Sequence, residues 1–189
     1  MFPKAGFGQI ARSVVDRFRP AKKSTLGIGG YFTVECLGAD GKTKWKAKAK
    51  NGITNAGLNH VLGVEFHADA ATIAWFLGLI DLASFTALAA GDTMGSHAGW
   101  IEITTEYSEA TRPEWTEGAA SSQSITNAAT VNFSITGTKT VKGIFLTSDS
   151  VKGGITGTLW ATALFAGGDQ AVVSGDTLKV TYTVNATSV

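Results

Sequence analysis

The chain has 189 residues, 44% hydrophobic and only 16% charged, with a formal net charge of +1 and a single cysteine. That length suits one compact body with an appendage, and the apolar share excludes a disordered chain. One cysteine, Cys36, excludes an internal disulfide framework, and no run approaches the roughly 18 apolar residues of a membrane span.

The small net charge conceals an asymmetry. Residues 1–25 carry Lys4, Arg12, Arg17, Arg19, Lys22 and Lys23 against Asp16, a net of +5. Residues 26–50 add five lysines against Glu35 and Asp40, a net of +3, and residues 51–189 balance them at −7. A basic end that docks and an acidic end that faces outward are the expectation. The first segment also has helical order: Phe7, Ile10, Ala11, Val14, Val15 and Phe18 recur at the spacing of one helix face, and Pro20 stops the run. Arg12, Arg17 and Arg19 lie off that stripe. A helix this short is marginal alone in water, so its apolar face needs its own core, another subunit or a membrane surface. Lys22 to Gly30 reads as a hinge, which makes residues 1–25 a separable arm and residues 26–189 the body. The arm lacks the density of Lys and Arg and the interleaved aromatics of a nucleic-acid-binding segment. No unbroken apolar leader stands in these residues, so synthesis in the cytoplasm is expected.

From Gly30 the period changes to two. Tyr31–Leu37 reads as a strand with Cys36 buried and inert, residues 38–41 as a turn, and Lys42–Lys50 as the hairpin partner. There Lys42, Lys44, Lys46, Lys48 and Lys50 form one face and Thr43, Trp45, Ala47 and Ala49 the other. The face is either a solvated edge guard or a docking stripe for an acidic neighbour. Asn51-Gly52 is expected to end this strand, and Thr54 to cap a short helix with Leu58, Val61, Leu62 and Phe66 turned to the core. Ile73–Ile80 reads as a buried strand, residues 81–99 as a surface loop and Trp100–Tyr107 as a further strand. In the last third, Val131, Phe133 and Ile135 face one way, Val141–Leu146 and Thr158–Phe165 form strands, and Leu178, Val180, Tyr182 and Val184 alternate with polar residues. Strands at this spacing predict a mainly β body, an antiparallel β-sandwich or barrel of jelly-roll type, with one short internal helix.

Signals for chemistry are weak. No phosphate-binding glycine loop, nucleophile elbow or paired helical histidines are present. His60 and His67, with Glu65 and Asp69, read as ordinary surface residues, since ligands at tight spacing are missing. Glu102, Glu106, Glu109, Glu114 and Glu117 cluster near Trp100, Tyr107 and Trp115. Carboxylates beside aromatic platforms can serve sugar binding or glycoside hydrolysis, and an exposed acidic loop is the plainer alternative. No catalytic residue, metal or cofactor is expected.

The stretches Tyr31–Cys36, Asp40-Gly41-Lys42, Trp45 and Asn51–Asn59 begin a longer pattern. It continues through Trp75–Ile80, Gly99-Trp100, Tyr107–Trp115, Gly118–Ser121, Gly157–Trp160 and Gly175–Tyr182. Over about residues 30–189 this resembles small structural proteins encoded in tailed-bacteriophage morphogenesis clusters. The resemblance implies a non-enzymatic virion protein, first of all a capsid decoration or cement protein. Its partners would be the major capsid protein or other virion subunits, with homo-oligomers (trimer or dimer) natural, and neither nucleic acid nor membrane. The alternative is a tail, collar or head-fibre module that binds other tail proteins or a host receptor or glycan, with Trp100, Tyr107 and Trp115 as the platform.

Overall fold

The computed structural model describes residues 25–188; the expected helical arm, with Phe7, Ile10, Arg12, Val14, Val15, Arg17, Phe18 and Arg19, lies outside the described residues. The described elements are β1 (Leu26–Leu37), β2 (Thr43–Ile53), α1 (Asn55–Phe66), β3 (Trp75–Asp81), β4 (Glu114–Trp115), β5 (Ser124–Thr126), β6 (Val131–Ser134), β7 (Lys139–Thr147), β8 (Leu159–Leu164), β9 (Gln170–Val172) and β10 (Thr177–Ser188). The fold is mainly β, and every strand pairing is antiparallel. The strands run in the order β4-β3-β7-β8-β2-β1-β10-β5, with β6 also on β10 and β9 on β7. The sheet curls into a half-barrel. Its two ends are laced together by Gly118 N–H donating to Thr126 O at 2.7 Å and Ala128 N–H donating to Thr116 O at 2.8 Å.

Alternation makes the curl. Phe32, Val34 and Cys36 of β1 face inward opposite Ala49, Ala47 and Trp45 of β2, and opposite Tyr182, Val180 and Leu178 of β10. Small alanines on one strand leave room for large rings on the next, and Phe32 stacks on Tyr182 with centroids 4.1 Å apart. Full burial of each such side chain contributes about 1.5–3 kcal/mol, and the inward set of β1, β2, β6, β7, β8 and β10 forms one continuous core. The outward residues of the same strands are mostly threonine and lysine, which suit a wet pleated face.

Several expectations are corrected. Leu26–Gly30 is not a hinge: it extends β1 and pairs with Val184–Ser188. The glycines that suggested flexibility allow two strands to approach, since a Cβ at Gly27 would stand 2.8 Å from Thr187 Oγ1. Asn51-Gly52 does not break β2, because Asn51, Gly52 and Ile53 pair with β8. Thr54 does cap α1, its hydroxyl accepting from Gly57 N–H at 3.0 Å. Of the four expected core-facing residues only Val61 packs against the core; Leu58, Leu62 and Phe66 are exposed, and the buried residue is Gly57. At Gly57 a Cβ would stand 2.5 Å from Trp160 O, so the glycine lets α1 lie against β8 and its wider apolar face points outward. Ile73 lies outside β3 and is 97% exposed. Residues 100–107 make only single bridges, Ile80↔Glu102 and Tyr107↔Ile135, and no strand. Among the described residues no helix is long and apolar enough to cross a membrane.

Candidate functional site

Of the five stripe lysines, Lys46, Lys48 and Lys50 alternate regularly on β2, Lys44 sits at a bulge and Lys42 precedes the strand, and their charges are not equivalent. Lys46, Lys48 and Lys50 stand opposite Glu35, Thr33 and Tyr31 on the outer face, while Ala47 and Ala49 between them are buried. Lys42 Nζ lies 3.5 Å from Asp40, and Lys46 Nζ lies 3.1 Å from Glu35. Lys44 sits in the bulge that shifts the register next to Leu37, and its Nζ reaches 2.6 Å to the buried Asp176. Lys48 Nζ rests 3.9 Å above the Tyr31 ring, and Lys50 has no carboxylate partner among the described residues. Uncompensated positive charge is therefore concentrated at Lys48 and Lys50.

Asp176 anchors the far end of the stripe. Burial pushes its carboxyl up, but the bond from Lys44, the Val173 N–H and the Lys44 charge together hold it below the usual carboxylate range. The same hydrogen bond raises Lys44 above its ordinary value. Beside them burial, and then the Asp176 charge, push the Cys36 thiol up to about 11, so it is protonated and inert at neutral pH.

The aromatic platform is overturned. Trp100, Tyr107 and Trp115 are only 1%, 2% and 4% exposed, because each packs into a core cluster. Trp100 donates from Nε1 to Asp92 at 2.9 Å, and Trp115 from Nε1 to Asn127 at 2.7 Å. Tyr107 packs edge-on against Phe133 at 5.1 Å, and Lys152 covers it from outside. The rings of this loop-rich stretch are what the stretch buries.

Three of the five clustered glutamates are placed by structural partners. Glu102 forms a two-pronged pair with Arg112, whose Nε and Nη2 donate at 2.9 and 2.8 Å. Glu106 lies 3.6 Å from Lys139, and Glu109 accepts from Ser134 N–H at 3.0 Å. Glu114 and Glu117 are exposed. Arg112, fully buried, also donates to the carbonyls of Asp149 and Gly154 and packs near the Phe145 ring. Glu102 in turn accepts from Gly153 N–H at 2.8 Å. This knot ties the long 82–113 segment to the 148–157 loop. Its one trace in the sequence is that Arg112 is the single arginine after Arg19.

His60 Nε2 is 3.2 Å from Thr72 Oγ1, with its ring edge-on to Trp75, and His67 is exposed at the end of α1. Among the described residues no group of three His, Cys, Asp or Glu is placed to hold a metal ion. Open to solvent are, among others, an apolar strip on α1 (Leu58, Leu62 and Phe66), with Ile73 close after it in the chain, the basic pair Lys48 and Lys50, and a cleft of about 460 Å³ lined by Trp75, Trp115 and Trp160 with Glu65 and Glu117. Comparison with known protein families and with curated proteins returns no match to this chain.

Proposed function

We propose that this protein is a non-enzymatic structural protein of a tailed-bacteriophage virion, in the first place a capsid decoration or cement protein that binds and stabilises the shell. The observation that carries the reading is the outward apolar face of α1. Scattered single hydrophobics are normal on a protein surface. Here Leu58, Leu62 and Phe66 line up at i, i+4 and i+8, Phe66 is 82% exposed, and Ile73 follows in the next loop. An aligned apolar row of this kind suits a surface that a partner covers. Covering Phe66 and Ile73 alone would contribute about 1.5–3 kcal/mol each. The resemblance over residues 30–189 supplies the partner class: the major capsid protein, other virion subunits or further copies of this chain. The two stripe lysines without a carboxylate partner among the described residues, Lys48 and Lys50, offer a local positive charge that suits ordered placement on a particle.

The test is incorporation. Particles assembled with Leu62→Glu/Phe66→Glu protein should lose the subunit, while the isolated variant melts within a few degrees of the wild type. Quantitative gel densitometry then places it: hundreds of copies per particle fit decoration, and a handful fit a tail, collar or head-fibre module. Full incorporation of the variant, or absence of the wild-type chain from purified particles, would sink the reading.

A further inference from the structure

The outer sheet parts at one point. Tyr31↔Lys50 is the last pair between β1 and β2. Beyond it β1 continues with β10 alone, from Gly30↔Val184 to Leu26↔Ser188. Meanwhile β2 pairs its last three residues with β8 on its other side. Leu26–Gly30 therefore present an edge. In an antiparallel ladder every second residue points its N–H and C=O away from the partner. Those groups have no backbone partner among the described residues.

A cleft of about 630 Å³ lies along this edge. Gly27, Gly29 and Gly30 line it beside Ile28 and Asn185, and a Cβ at Gly29 would meet nothing within 4 Å. Its β2 wall carries Lys48 and Lys50, the two lysines of the stripe with no carboxylate partner among the described residues. An open backbone edge is a template for a further strand, with main-chain bonds giving affinity and flanking side chains giving choice. Charge selects the occupant. The chain's own residues 1–25 carry a net of +5 and would meet the lysines with like charge. The same edge of a second copy would bring its own Lys48 and Lys50 into the contact.

We propose that Leu26–Gly30 receives an extended acidic segment of a partner protein, added as an extra strand, with Lys48 and Lys50 pairing its carboxylates. This site is separate from the α1 face and goes beyond the assembly reading, since it specifies a mode of capture and the sign of the captured segment.

The experiment uses the full-length protein and a fluorescent nine-residue peptide of alternating Glu and Val, read by anisotropy at low salt. Saturable binding is expected, with amides of Leu26–Gly30 becoming protected from hydrogen exchange. Lys48→Glu/Lys50→Glu should weaken binding by about tenfold or more without lowering the melting temperature. A peptide of the same charge interrupted by prolines should lose a similar factor, because it cannot form the ladder. Absence of saturable binding, protection elsewhere, or insensitivity to the lysine reversal would overturn the proposal. Equal binding by the proline-interrupted peptide or by a single-stranded DNA oligomer would overturn it too, showing polyanion attraction without strand addition. None of these results bears on incorporation of the α1 variant, so the two readings fail separately.

Discussion

Two regions of this molecule are held by different means. Across β1, β2 and β10 the ladder is nearly unbroken, and inward apolar residues alternate with outward polar ones. Residues 82–113 have almost no ladder; isolated backbone bonds, such as Thr86 N–H to Gly99 O at 2.8 Å and Ile103 N–H to Leu79 O at 2.9 Å, are joined there by buried polar side chains. Asp92 accepts from Ala89 N–H and from Trp100 Nε1, each at 2.9 Å, and Arg112 donates to two loop carbonyls. In the ladder, stability is spread over many similar pairs, and no outward residue matters much alone. In the loop it is gathered at a few buried polar groups, each of which strands its partners if removed.

The sharpest break in that contrast should come from Arg112→Ala. It leaves Glu102 buried without its cation and frees the carbonyls of Asp149 and Gly154, at a cost of about 3–5 kcal/mol. Chemical denaturation measures it; a loss below about 1 kcal/mol would show that the loop does not hang on this knot. A milder loss tests the ladder region. Tyr182 Oη accepts from Trp160 Nε1 at 3.0 Å and Asn51 Nδ2 at 2.9 Å, so Tyr182→Phe strands two buried donors. About 1–3 kcal/mol is expected by the same measurement, and the apolar core around the ring should keep the fold intact.

Acid titrates both regions at once. For Asp176, and for Asp149 in the 148–157 loop that Arg112 joins to residues 82–113, burial acts first to raise the pKa. Lys44 then outweighs it at Asp176, and the Val151 N–H, the Thr156 hydroxyl and Arg112 outweigh it at Asp149, so both are net lowered. Groups depressed on folding contribute stability that is fully present above the unfolded value near 3.9 and is lost as pH falls through their lower folded values. Melting temperature should therefore fall steeply below about pH 4, and Asp176→Asn should flatten part of that fall. Lys44 moves the other way: its contribution is complete below the unfolded value near 10.4 and is lost only as pH rises through the higher folded one. The smallest effect belongs to the outer ladder, where Lys46→Gln should change stability by no more than about 0.5 kcal/mol in denaturant melts.

The same contrast explains what could be read in advance. β6 and β10 were legible because one face is apolar at period two, β7 and β8 because they are short runs buried on both faces, and turns such as Ser174-Gly175-Asp176 punctuate them; Gly175 has φ +90°. The first residues of β1 were hidden by glycines, which weaken strand propensity but here suit a close approach of two strands. In α1 the apolar stripe was legible and its direction was not. Helical period shows that Leu58, Leu62 and Phe66 share a face, but whether that face meets the core or a neighbour depends on Gly57 fitting against Trp160. Arg112 was illegible because its partners lie ten residues back, at Glu102, and about forty residues on, at Asp149 and Gly154, with no spacing rule to connect them. Of the candidate surfaces, the lysine face was visible from alternation, whereas the inequality of its charges appears only when Asp176, Glu35 and Asp40 are folded against it.

The pairing of β1 with β10 also sets an order of events in synthesis. These two strands lie about 150 positions apart in sequence, and contacts of such separation form slowly. On the ribosome β1 is made early and can close the hairpin with β2, but its other side stays unpaired until nearly all of the body has been translated. An unpaired strand rich in β-formers, Tyr31-Phe32-Thr33-Val34, is the kind of nascent surface that chaperones meet and that aggregates at high expression. Slow translation or low temperature should therefore raise the soluble yield of this chain more than it would for a helical protein of equal size, because the strand made first must wait for the strand made last.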